Sequence, residues 1–204
     1  MLSRLYDAPI DFDIYDFLVT DRQHLRSYVE DDHTDEQVLV QETENGVDIG
    51  VFIDERVLRR LDEVNPLQSL NAENLADYCT ALEGVSHFQY LVWNVARRRP
   101  VSLLELEVQA EVDKYAAATL LLTSQRAGRF PAELHGSLFH RIAFAPGLQQ
   151  ESLQRYQEAN RQAARFCRRL DEKFLKGRRV RPEQWVAELR RFYRFGQREK
   201  MALE

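Results

Sequence analysis

From Asn71 almost to the C-terminus, apolar residues recur at helical spacing, and this periodicity constrains the fold more than any other feature of the chain. Leu75, Tyr78, Cys79, Leu82, Val85, Phe88, Leu91 and Val95 outline one long helix, with Asn71 as its N-cap. Arg97-Arg98-Arg99-Pro100 ends it, the basic side chains suiting the negative end of the helix dipole. A second helix starts at Ser102 and runs through Leu106, Ala110, Tyr115 and Leu122 to Gly128. Glu105, three residues after Ser102, completes a capping box, and capping is the only role its position assigns to it. Residues 71–124 therefore predict an antiparallel helix pair joined by a tight turn. Shorter or later helices follow around Leu134 to Ile142, from Gln149 to Lys176, and from Pro182 to near Arg198. Pro146-Gly147 and the basic turn Gly177 to Arg181 separate them.

The N-terminal third carries a different signal. Val38 and Val40, then Val47, Ile49, Val51 and Ile53, alternate with polar residues on either side of Glu44-Asn45-Gly46. Alternation with Asn-Gly at the turn predicts a β-hairpin over 37–54. Asp54 is placed to cap a helix from Glu55 to Glu63, which Asn65-Pro66 stops. Phe17-Leu-Val-Thr fits either a short strand or a helix start.

The expected fold class is α+β and predominantly helical: one hairpin, an antiparallel helix pair and a C-terminal helical subdomain. The expected organisation is a hairpin and helix-pair domain over 1–130, with a basic helical subdomain over 131–204 packed on it as one globular unit. Only 8 glycines and 6 prolines argue against an all-β sandwich or barrel. A chain of 204 residues buries enough surface to fold without disulfides or metal. Cys79 and Cys167 read as reduced core residues within helical patterns. The longest apolar run, Tyr115 to Thr123, is far short of a membrane span, and Met1 to Asp7 has no apolar signal region. The expectation is a cytoplasmic protein that contacts no membrane.

Charge is segregated along the chain. Residues 1–60 hold 6 Lys or Arg against 15 Asp or Glu, and residues 161–200 hold 14 against 5. Such asymmetry points either to a nucleic-acid surface or to pairing between the two ends. Arg178, Arg179, Arg181, Arg190, Arg191 and Arg194, interleaved with Phe192 and Tyr193, form the candidate nucleic-acid or partner surface. No established nucleic-acid motif accompanies them, so a protein partner or self-association is the expected use.

One polar cluster stands inside the helix pair. Cys79, Glu83 and His87 are spaced i, i+4, i+8, and Glu107 and Glu111 are spaced i, i+4 on the following helix. Glu83 and His87 are the candidate catalytic pair. Glu83, His87, Glu107 and Glu111 are the candidate ligands of a divalent metal, since carboxylate and imidazole donors suit Zn, Fe or Mn. The same residues also fit a solvated stripe or a buried hydrogen-bond network without catalysis.

The order hairpin, then Glu83-Gly-Val-Ser-His87, then Glu107-Val-Gln-Ala-Glu111-Val-Asp-Lys-Tyr-Ala-Ala resembles small bacterial zincin metallopeptidases over about residues 37–124. In that family an H-E-x-x-H helix is followed by a Glu-bearing helix. The resemblance implies that Glu83 is in the position of the base and that Glu107 or Glu111 is a third ligand. Leu82 and Ser86 replace the two histidines, and His87 is displaced by one residue, about 100° around the helix. The motif is degenerate, with no cofactor expected. The leading expectation is a non-catalytic interaction or accessory protein. A metal-dependent hydrolase using Glu83, His87 and Glu107 or Glu111 is the first alternative, and a nucleic-acid-associated protein using the C-terminal arginines is the second.

Overall fold

The computed structural model describes residues 1–26, 34–44, 46–140, 148–175 and 182–202. Its elements, in chain order, are α1 (Leu2–Tyr6), a 3-10 turn (Ile14–Phe17), β1 (Leu18–Val19), α2 (Arg22–Leu25), β2 (Glu36–Thr43) and β3 (Gly46–Ile53). They continue with α3 (Glu55–Glu63), α4 (Leu75–Val95), α5 (Leu103–Gln125), α6 (Leu134–Phe139), α7 (Gln150–Phe174), α8 (Pro182–Arg194) and α9 (Gln197–Met201). The fold is α+β and predominantly helical.

The chain divides into two compact units, residues 11–89 and residues 1–10 with 90–204. The sequence places a boundary near 130, whereas the observed division passes through α4. Within the second unit α5 packs along α7 and against α6, which joins the helices beyond 130 to those before it.

In the unit of residues 11–89, the strand order is β1-β3-β2, with β1 parallel and β2 antiparallel to β3. Phe17-Leu-Val-Thr, open to two readings, supplies the strand β1, and α2 follows it. The predicted hairpin forms, with Val38 opposite Val51 and Val40 opposite Ile49. Thr43 pairs with Gly46, one residue earlier than an Asn45-Gly46 turn would place the closing pair. Gly46 has φ 152°, a conformation that glycine adopts without strain.

Asp54 caps α3 as expected, accepting from the Arg56 N–H at 2.8 Å. It also accepts from the Arg56 side chain, Nε at 2.9 Å, and from Arg22 Nε at 2.8 Å, and these partners hold its carboxyl well below the usual carboxylate range, the Arg56 side-chain bond contributing most. The cap expected at Asn71 shifts position. α4 begins at Leu75, not after Asn71, and Asn71 instead accepts from the Glu73 N–H in the preceding turn. Buried Asn74 secures that turn by donating to the Val64 and Ser69 carbonyls.

Gly84 explains how α4 approaches the sheet. A Cβ there would lie 3.0 Å from Val51 and 3.3 Å from both Ile53 and Glu36. Glycine allows the helix backbone to reach the buried end of β3, where Val51, Phe52 and Ile53 form the core.

In the unit of residues 1–10 and 90–204, α5 is the central helix. Ala116, Ala117 and Ala118 are fully buried, and small side chains there suit close packing on α7, which buries Ala159 and Ala163. Aromatic rings tie α1 to α8: Tyr6 stacks on Tyr193 at 4.2 Å between centroids. Tyr90 and Trp93 meet the same ring edge-on at 4.9 and 5.2 Å. Pro182 opens α8 as predicted. Cys167 is buried as expected, its thiol pushed up by desolvation, while Cys79 is only half-buried.

Candidate functional site: a buried network around Lys200

The α4–α5 turn places Arg99 and Ser102 beside the start of α5. Ser102 caps the helix, its Oγ accepting from the Glu105 N–H at 3.1 Å. The reciprocal half of the expected box is absent. Glu105, 2% exposed, turns its carboxylate inward, accepting from Tyr90 Oη at 2.5 Å and from Arg99 Nη2 at 2.6 Å. Capping alone is therefore corrected: a buried carboxylate is satisfied by the strongest donors within reach, and these lie on α4 and the turn.

Tyr90 is the junction. Its hydroxyl donates to Glu105 and accepts from Arg99 Nη2 at 2.6 Å and from Lys200 Nζ at 2.7 Å. One donor and two lone pairs are all used. Burial, reinforced by the Glu105 carboxylate, pushes the Tyr90 phenol far above its ordinary pKa.

Lys200, on α9, is 2% exposed. Its Nζ also donates to Gln109 Oε1 at 2.8 Å and lies 4.3 Å from the Tyr90 ring centroid and 4.9 Å from that of Phe192. Gln109 Nε2 in turn donates to Asp113 Oδ1 at 2.7 Å, and Tyr6 Oη donates to the same oxygen. The chain of bonds thus runs Arg99, Glu105, Tyr90, Lys200, Gln109, Asp113, Tyr6. Arg99 and, when it is protonated, Lys200 face the carboxylates of Glu105 and Asp113. Desolvation lowers the Lys200 amine to about 7, with Glu105 and Asp113 opposing that shift.

The network reaches the surface at one end. Arg99, Pro100, Val101, Ser102 and Glu105 line one side of a groove of about 490 Å³, and Gly196 to Glu199 line the other. An amine titrating near neutrality is suited to proton exchange, but Lys200 does not line the groove, and its own bonds are internal.

Each described residue singled out from sequence has its own local partners. His87 is buried and its Nδ1 lies 3.1 Å from Glu36 Oε1 on β2, while Glu83, one turn earlier, is half-buried. Glu107 and Glu111 belong to the other unit. There Glu107 lies 3.7 Å from Arg155 of α7, and Glu111 accepts from Lys114 at 2.6 Å. Arg190 donates to the Leu5 and Arg4 carbonyls at 2.8 and 3.2 Å, and Arg194 to the Asp7 carbonyl at 3.2 Å. Both arginines thereby satisfy carbonyls at the end of α1. Arg191 lies 3.8 Å from Glu188 and over the Phe195 ring. Arg178, Arg179 and Arg181 lie outside the described residues.

Lys200, Tyr90 and Asp113 were not singled out by spacing. Among the described residues no helix is long and apolar enough to cross a membrane. Compared with known proteins, the chain matches no family model, no curated protein and no solved structure.

Proposed function

We propose that this chain is a non-catalytic interaction protein whose sheet binds an extended, basic segment of a protein partner. The observation that carries the reading is the outer edge of β2, which pairs with no further strand among the described residues. The Asp54 N–H donates to the Asp35 carbonyl at 2.9 Å. Antiparallel ladders alternate, so the N–H and C=O groups of Val38 and Val40 point away from β3, toward an incoming strand.

Side chains and charge define the partner. Residues 11–89 hold 5 Lys or Arg against 19 Asp or Glu. A groove of about 900 Å³ runs beside the strand, lined among others by Asp16, Leu39, Asp48 and Gly50. Val38 and Val40 also border the groove, their side chains alternating to the other face of the strand from Leu39, and Val40 is 52% exposed. A segment alternating apolar residues with Lys or Arg complements both faces. A cytoplasmic setting belongs to this proposal, since thiols at Cys79 and Cys167 suit a reducing compartment.

The test is fluorescence anisotropy with a labelled octapeptide of alternating Lys and Val, at low and physiological salt. Binding should weaken with salt and fall about tenfold or more in Val40→Pro, which removes an outward N–H without touching the β3 ladder. The matching Glu–Val peptide should not bind. Equal binding by the proline variant, or none to either peptide at low salt, would sink the reading.

A second reading keeps the degenerate zincin-like scaffold as a metal-dependent hydrolase. It is favoured by the Glu36–His87 contact, because a carboxylate on Nδ1 orients Nε2 as a ligand, and Glu83 stands one turn away. Elemental analysis of freshly purified protein separates the two. Near-equimolar metal, lost in His87→Ala, would put the hydrolase first.

A further inference from the structure

α9 is held to its unit in an unusual way. It has five residues, and Lys200 is its one fully buried side chain. Helices of this length have little stability of their own and depend on the apolar surface they bury. Here the anchor is an amine among aromatic rings.

The groups facing that amine come from every surrounding element. Tyr90 is on α4, Arg99 on the α4–α5 turn, and Glu105 and Asp113 on α5. Tyr6 of α1 and Cys167 of α7 stand behind Asp113, Tyr193 of α8 stacks on Tyr6, and the exposed Arg198 and Glu199 flank Lys200 on α9. The Tyr90 and Tyr6 phenols and the Cys167 thiol are all pushed upward, which leaves Lys200 as the group poised to exchange a proton near neutrality.

We propose that α9 is a pH-responsive strap over the polar core: proton uptake by Lys200 loosens it and opens Glu105, Tyr90 and Gln109 to solvent. In the docked state a neutral amine accepts burial at less cost than an ammonium. Once undocked, the ammonium is hydrated and holds its proton to ordinary lysine pH. Docking is therefore strongest above about 10.5 and weakens as pH falls toward about 7, below which the effect levels off. Release would remove the Gly196–Glu199 wall of the groove and uncover the carboxylate of Glu105.

Hydrogen exchange of the full chain, read on peptides covering residues 195–202 and corrected for intrinsic exchange, tests this between pH 7 and 9. Protection should rise about tenfold per pH unit, the slope for one linked proton. Lys200→Met should hold protection high and flat, whereas Lys200→Arg, charged throughout, should hold it low and flat. Flat protection in the wild type, or an unchanged slope in Lys200→Met, would overturn the proposal. If Lys200→Met does not fold, NMR of the wild type with labelled lysine decides instead. One lysine side chain titrating near pH 7 supports the strap, and its absence refutes it.

Discussion

The two units differ in how they treat charge. Residues 11–89, strongly acidic, place pairs such as Arg59 with Glu55 at 2.9 Å and Arg60 with Asp77 at 2.6 Å at the surface, bury the separate contacts of Asp54 with Arg22 and of Glu36 with His87, and fill their interior with Val51, Phe52, Ile53 and Phe88. Residues 1–10 and 90–204 hold 23 Lys or Arg against 14 Asp or Glu and bury part of that charge in the chain from Arg99 to Tyr6. A surface pair loses little solvation and contributes little, whereas a buried one depends on every partner being present. The comparison separates a unit held by packing from one whose packing is threaded by a polar network that must stay complete.

The largest expected effect breaks the second half of that contrast. Glu105→Ala removes the carboxylate that accepts from both Arg99 and Tyr90 and leaves Lys200 with less compensating charge, so urea denaturation should show a loss of about 3–5 kcal/mol. A loss near that of a surface pair would mean that water replaces the carboxylate and that the network is not a unit.

A smaller effect probes the packed unit. Gly84→Val pushes side-chain atoms into Val51, Ile53 and Glu36, and overpacking of this kind costs about 1–3 kcal/mol. Val51→Ala should partly rescue it, because the first clash is with the Val51 side chain. Absence of rescue would place the strain in the helix backbone instead.

The smallest effect concerns the exposed pairs. Arg59→Ala removes an i,i+4 bridge to Glu55 in which both side chains are more than half exposed. Thermal melts should register about 0.3–0.5 kcal/mol or less. A change several times larger would show that the acidic unit also relies on cooperative electrostatics, and the contrast between the units would lose its basis.

Much of the fold was legible because it is local. The Asp54 cap, Pro182 at the head of α8, Ser102 at the head of α5 and the alternating valines of the hairpin each depend on residues a few positions apart. The hairpin register and the start of α4 at Leu75 were less legible, since cross-strand pairing and the turn secured by Asn74 settle them. The site was hardly legible. Glu105 carried a complete local explanation as a capping residue, and nothing nearby in sequence announces Tyr90, 15 positions away, as its real partner. Lys200 read as one more cation in a basic C-terminal stretch, although its acceptors lie 110 and 91 positions earlier.

What the sequence determined by itself was therefore periodicity, caps, turns and the segregation of charge, because these follow from backbone hydrogen bonding and side-chain spacing over a few residues. What the tertiary structure decided was which charges leave water. Arg190 and Lys200 stand ten positions apart in the same basic stretch, yet one satisfies carbonyls at the end of α1 and the other is sealed among Tyr90, Phe192 and Gln109. That difference is set by desolvation, and desolvation depends on which distant segments close over a side chain.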